Sequence, residues 1–169
     1  MSGAWGGRGG AVTRACGLKG GGVSQANKSL IRRWFQEVWN EGRESTIDEL
    51  FVPDGVAHGL SQESGKRLLG PTDFKPFWRA FRSAVPNIRV AVDQVIAEGD
   101  MVVAQCTVRG AHTGHGLGIP PTFHSVEFTG VTIIRVRDGK IVEGWNNFDF
   151  LTLYQQLDMI PRPKNLSTP

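Results

Sequence analysis

Cysteine is scarce in this chain, with only Cys16 and Cys106 among 169 residues. Two thiols do not make a disulfide framework, so a packed core must hold the fold. Cys106 sits in a strand-like pattern among apolar neighbours, where a buried, inert thiol is expected. This usage is compatible with a reducing, cytoplasmic compartment, which is the expected location. Long apolar runs are also missing. No stretch approaches the ~18 consecutive apolar residues of a membrane span, so no transmembrane helix is expected. Residues 1–24 lack the continuous apolar core of ~7–15 residues that a secretory leader carries. The body of the chain has no excess charge of either sign. Arg8, Arg14 and Lys19 lie in an N-terminal stretch with no acid, and removing those three from 19 Lys+Arg leaves 16 against 16 Asp+Glu. A nucleic-acid binder carries its charge as a patch on folded structure, and no such cluster is visible.

What remains is a soluble globular composition. Hydrophobic residues make up 40% and mean hydropathy is −0.20. The length fits one domain with a sizeable core. Residues 1–24 are glycine-rich without hydrophobic periodicity and are expected to be a disordered tail. Residues 25–160 form the expected domain, and residues 161–169 read as a frayed end.

Within the domain the pattern changes once. A helix is expected over residues 25–40, with Leu30, Ile31, Trp34, Phe35, Val38 and Trp39 on one stripe and Gly42 as its stop. Ser45 and Asp48 resemble a capping pair for a short helix over 46–51. A third helix is expected over 71–84, with Phe74, Phe77, Trp78 and Phe81 on one face. After Pro86, residues 88–97, 101–113, 125–137 and 140–149 read as strands. Gly99-Asp100 and Asp138-Gly139 read as tight turns, and residues 114–124 as a Gly/Pro loop. A short helix over 151–157 follows. Helices first and strands afterwards define an α+β fold. The aromatic helix faces can bury one side of a curved antiparallel sheet, making a cone with an interior suited to a small apolar ligand.

The segment DGKIVEGWNNFDF (residues 138–150) holds the densest mixture of amides, carboxylate and aromatic rings. Together with NKSLIRRWFQEVWNEG (27–42), IDELFVPDGVAHG (47–59), IAEGDMVV (96–103) and GAHTGHGLGIPPT (110–122), it resembles the SnoaL-like polyketide cyclases (ester cyclases) of the nuclear transport factor 2-like superfamily. The resemblance covers residues 27–158 and rests on the order and spacing of these segments together. It implies a conical α+β barrel closed by helices, a ligand pocket, and a homodimer through the outer sheet face. It also implies cofactor-independent ring closure by intramolecular aldol condensation in secondary metabolism. The family cyclases carry an acid/base Asp on the last strand, and counting from Gly-Lys-Ile this position is Asn146. A substrate-holding His on the preceding strand falls near Thr132.

An amide has no accessible titration, so Asn146 can serve only as a donor to a ligand oxygen or as a strand-end backbone partner. Alternation puts Val142, Gly144, Asn146 and Phe148 on one strand face in the absence of a bulge. Asp149 is the nearest carboxylate. It is either a proton carrier in an apolar setting or the cap of the last helix. His112 shares parity with Ala104, Cys106 and Val108, and so is either a pocket base or a core histidine. His58, Trp145, Phe148, Trp34, Trp78 and Phe81 are the candidate substrate-binding residues. Asn146, Asp149 and His112 are the candidate catalytic ones. His112, His115 and His124 lack a carboxylate to complete a ligand set, so no metal is expected. Arg109 and Arg135 read as outward-facing, which argues against epoxide opening or hydroxylation. The runner-up to a cyclase is a binding or interaction module without chemistry.

Overall fold

Period-2 patterning in the C-terminal half builds a sheet with one dry face. The computed structural model describes residues 20–61 and 65–161. Its long strands are β3 (Arg89–Glu98), β4 (Met101–Ala111), β5 (Ser125–Arg137) and β6 (Lys140–Phe148). Each pairs antiparallel with the next. Along β5 every second residue from Val126 to Val136 is buried, as a half-wet strand requires. Asp138 and Gly139 turn β5 into β6 with positive φ at both positions, 51° and 71°. This is the geometry that Asp-Gly favours in two-residue hairpins.

Two strands precede these. β1 (Phe51–His58) ends at His58, and β2 (Leu68–Leu69) has no counterpart in the sequence reading. The order is β2-β1-β6-β5-β4-β3, so the sheet is open and its edge strands are not bonded to each other. The sheet is antiparallel except between β1 and β6, which run parallel. This departs from the expected all-antiparallel sheet. The two strands are far apart in sequence, and a long crossover brings the second alongside the first.

Helices cover the concave face. α1 (Gly20–Trp34) continues as a π-helical segment (Phe35–Asn40), followed by α2 (Ser45–Leu50), α3 (Gly70–Ala84) and α4 (Phe150–Gln156). The expected tail boundary at residue 24 falls inside α1, which already begins at Gly20. Extending a helix nucleated by packing is far easier than starting one, so glycines join its first turn. The rest of the expected tail (1–19) and most of the expected frayed end (162–169) lie outside the described residues. Ile31, Trp34, Phe35 and Val38 present the buried stripe of this first helix. Asn40 pairs its amide with both backbone groups of Val90, at 3.0 and 2.6 Å, tying the helix to β3. From α3, Phe74, Trp78 and Phe81 enter the core. Each large apolar side chain buried there contributes roughly 1.5–3 kcal/mol. Among the described residues no helix is long and apolar enough to cross a membrane.

Candidate functional site

Between the sheet and the helices lies a cavity of about 80 Å³. Its wall is almost wholly apolar. Trp34, Trp39, Phe51, Phe74, Phe77, Phe81, Phe128, Phe148 and Phe150 supply rings from the first helix and its π-helical extension, from α3 and α4, and from β1, β5 and β6. Many of these rings meet edge-on or tilted, with centroids such as Trp34–Phe74 at 5.4 Å and Trp39–Phe81 at 6.0 Å. Among the described residues Thr132 and Asn146 bring the wall's hydroxyl and amide, Trp34 and Trp39 bring indoles, and no titratable side chain lines it.

A bulge decides which residues of β6 face this space. Arg137 faces Lys140 and Val136 faces Ile141, but Arg135 faces Glu143, which leaves Val142 as the extra residue. The expected alternation therefore fails at Val142. Ile141 lines the cavity in its place, while Gly144, Asn146 and Phe148 face inward as expected. Beyond the bulge, Thr132 and Asn146 become direct partners across β5 and β6. Thr132 Oγ1 donates to Asn146 Oδ1 at 3.0 Å. Asn146 Nδ2 donates to the backbone carbonyl of His58, at the end of β1, at 2.9 Å. Gly59 follows, with φ of +77°, and a Cβ there would lie 2.0 Å from the backbone oxygen of Asn146. Only glycine lets β1 end this close to β6. The two sequence readings of Asn146 thus merge, since it bonds to backbone at a strand end and it also lines the cavity.

The structure brings Asn146, Phe148, Trp34 and Phe81 together around the cavity and leaves the other candidates elsewhere. Asp149 is exposed and caps α4. Its carboxylate accepts from the Thr152 backbone N–H at 2.9 Å and from the Thr152 hydroxyl at 2.6 Å. These bonds, the hydroxyl's first, hold its pKa below the ordinary value, opposite to the rise a proton carrier in an apolar setting would show. His112 is fully buried but does not reach the cavity wall. Its Nδ1 faces the Thr122 backbone N–H at 3.2 Å and the Thr122 hydroxyl at 3.1 Å, and its Nε2 has no partner among the described residues. Burial, with the charges of His115 and His124, pushes its pKa down.

Trp78 is buried away from the cavity, with its indole N–H on the Val38 carbonyl at 3.0 Å. The remaining two lie on the outer face of the sheet. His58 stacks on Trp145 at 5.4 Å, with the rings 3° from parallel, and its Nε2 lies 3.0 Å from Glu143. Arg135 covers the same indole at 5.4 Å, so it faces outward as expected, and Arg109 pairs with Glu127. Cys106 is buried, which pushes its thiol up to about 12. Among the described residues no three His, Cys, Asp or Glu side chains are placed to hold a metal.

Sequence reasoning missed three parts of the polar corner. Thr132 was visible only as a family position, because the bulge conceals its pairing with Asn146. The His58 contribution is a backbone carbonyl, which carries no side-chain signal. The bare inner face of Gly144 shows only once its neighbours are placed.

The fold and this pocket define a class. The family model of the SnoaL-like polyketide cyclases matches residues 29–157, and the chain belongs to that family. Aklanonic acid methyl ester cyclase DauD from Streptomyces sp. (strain C5) is 27% identical over 136 residues, which span 76% of this chain and 79% of DauD. A protein from Jannaschia sp. CCS1, assigned as a SnoaL-like polyketide cyclase, superposes with a TM-score of 0.73 at 26% identity, covering 82% of this chain and 96% of its own. IdmH from Streptomyces antibioticus, assigned as a polyketide cyclase, superposes with a TM-score of 0.68 at 30% identity, covering 78% and 98%.

Proposed function

We propose that this chain encloses a planar, largely apolar, polyketide-like molecule and promotes its ring closure or isomerisation, with Asn146 holding one carbonyl oxygen. The observation that carries this reading is the pairing of the Thr132 hydroxyl with the Asn146 amide in a largely apolar, aromatic wall. Membership of the cyclase family and the ester substrate in the name of the DauD relative support the substrate class.

Aldol closure forms one carbon–carbon bond within the substrate. A proton leaves the carbon beside one carbonyl, that carbon's electron pair attacks a second carbonyl, and the second oxygen gains a proton. The sum is an isomerisation, so it consumes no oxidant, reductant or cofactor. The aromatic walls would hold the two reacting carbons together. The second N–H of Asn146 would stabilise the negative charge that develops on oxygen. With no titratable side chain in the wall among the described residues, the substrate's own enol or an enclosed water would carry the proton.

The same lack of a base in the wall favours a second reading, in which the cavity binds such a molecule without turning it over. Chromatography of a panel of aromatic polyketide esters, incubated with the protein and with an Asn146→Ala variant, separates the two. The cyclase reading expects a cyclised product and a turnover about 100-fold lower in the variant, the usual loss for one oxyanion donor. Tight binding with no product leaves the binding reading. If no member of the panel binds, both readings fail.

A further inference from the structure

Two arginines meet at the end of the first helix without an acid between them. Arg82, on α3, donates from Nη1 to the backbone carbonyl of Trp39. Arg89, the first residue of β3, donates from Nη1 to the next carbonyl, that of Asn40, at 2.8 Å, and to the carbonyl of Ile88 at 3.1 Å. Cations at a helix C-terminus are favourable, so these bonds explain where the two side chains lie. They do not supply a counter-charge. The acids closest in sequence to that helix end are engaged elsewhere. Glu37 and Glu41 pair with Arg43, and Glu44 pairs with Arg79 and Lys75. Carboxylates raise the pKa of Arg33, Arg79 and Arg109. Burial, and then the charge of Arg89, lower that of Arg82, and no acid offsets them.

The Arg82 guanidinium is also held in place. It lies over the Trp78 ring, 5.7 Å from the centroid. Gly42 packs against it, and a Cβ there would lie 2.7, 2.9 and 3.1 Å from Nη2, Cζ and Nε. Such near-equal distances put that point above the plane of the group, not off its edge. With Nη1 on Trp39, the edge formed by Nε and Nη2 is left over. This is an edge that grips an oxyanion through two parallel bonds. Among the described residues neither of these nitrogens is both buried and unpartnered, so the edge opens to solvent. Arg89 is exposed beside it and keeps its own Nε and Nη2.

We propose that Arg82 and Arg89 form a binding site for a phosphoryl group at the end of the first helix. Two adjacent positive charges match a tetrahedral dianion better than a carboxylate. Arg82 grips two of its oxygens and Arg89 a third. Arg109 faces Arg89 across the strands, but Glu127 neutralises it. The phosphoryl group is either free inorganic phosphate or the end of a phosphate ester, and the site's chemistry is the same for both. Neither arginine lines the cavity, so this site is independent of the function proposed above.

The full chain, labelled with 15N-arginine, tests the site by NMR of the arginine Nε–H resonances. Inorganic phosphate, glycerol 3-phosphate and acetate are titrated at neutral pH and constant ionic strength. Side-chain resonances are the chosen readout because phosphate raises the melting temperature of proteins in general. The Arg82 and Arg89 resonances, identified by their loss in Arg82→Lys and Arg89→Gln, are expected to move together with phosphate. The shifts should saturate with a dissociation constant on the order of 1 mM, the worth of a few charge-assisted bonds. Acetate is expected to bind about ten-fold more weakly. Arg89→Gln, which alters an exposed side chain, weakens phosphate at Arg82 by about ten-fold. Arg82→Lys keeps the charge and loses the fork, and weakens phosphate at Arg89 to a similar degree. Arg137→Gln, at the opposite end of the sheet, changes neither. Tighter binding of glycerol 3-phosphate than of phosphate assigns the site to an ester-borne group, and otherwise it takes free phosphate. Shifts that are absent or never saturate, acetate binding as tight as phosphate, or phosphate binding at Arg82 that survives Arg89→Gln overturns the site. None of these outcomes touches the cavity reading.

Discussion

The carboxamide of Asn146 donates to the backbone carbonyl of His58 across 2.9 Å, so position 146 is built around a donor. A carboxylate there would face a carbonyl oxygen with nothing to offer it. Asn146→Asp is therefore expected to be an acid with a raised pKa. Its protonated form can donate to His58, and the apolar wall disfavours its charge. A carboxyl whose folded pKa is raised stabilises fully below its unfolded value, near 3.9, and that stability is lost as pH rises through the folded value. Urea denaturation should find the variant within about 1 kcal/mol of the parent at pH 4 and about 2 kcal/mol less stable at pH 8. Equal stability of the variant at the two pH values, relative to the parent, would count against this geometry.

Asp149 caps α4 and stands apart from the cavity. Asp149→Ala should cost about 1 kcal/mol, the usual worth of such a cap. Ligand affinity should stay at the parent level. Chemical denaturation and probe titration on one sample check both halves. A large loss of binding without a loss of stability would return Asp149 to the site.

Trp78 is a structural partner of the first helix. Trp78→Phe removes the N–H that serves the buried Val38 carbonyl. An orphaned buried acceptor costs about 1–3 kcal/mol. Binding in the cavity should not change, because Trp78 is absent from its wall. The contrasting variant is Trp34→Phe. It alters the wall, so it should change both the affinity and the fluorescence response.

His112 ties down the exit of the 112–124 loop. Besides the ring contact to Thr122, its backbone N–H donates to the His124 carbonyl and its carbonyl accepts from Phe123, both at 2.9 Å. Its neutral ring accepts at Nδ1, and protonation would turn that acceptor into a donor facing an N–H. The pKa is depressed in the fold. The stability this contributes is therefore present above the ordinary value of 6.5 and is lost as pH falls from there through the folded value. His115 and His124 act on it in the same sense, each lowering its pKa through charge. Asp158 pairs with His124 at 3.5 Å. His112→Asn keeps an acceptor near the same place and cannot titrate. Between pH 6.5 and pH 5 the parent should lose about 1 kcal/mol more than this variant in denaturant melts. Parallel acid limbs would rule the mechanism out.

The local features of the chain were legible because they rest on nearest neighbours. Asp138-Gly139 adopts the positive φ angles its residues favour, Gly42 stops the first helix with φ of 74°, and the stripes through Ile31 and Phe81 face the core. The cap reading of Asp149 was open from the first, because Thr152 lies in its own next turn. Features that depend on partners distant in sequence were not legible. The bulge at Val142 brings Ile141 into the cavity and makes Thr132 the neighbour of Asn146. Both His58 and Trp145 carry the residue types of a pocket, yet strand parity puts their rings on the opposite face of the sheet.

By itself, the order of residues determined an α+β domain with aromatic helix faces, a hairpin-built sheet and an amide near the end of the last strand. Helix stripes, strand alternation and turn preferences are short-range, and they are written in spacing alone. Tertiary structure decided what that amide does. The parallel docking of β1 on β6 brings a backbone carbonyl to Asn146 and orients its donors. Register beyond the bulge supplies Thr132, and the empty inner face of Gly144 leaves room beside them. Each of these is a distance between chain segments far apart in sequence, which no local pattern encodes.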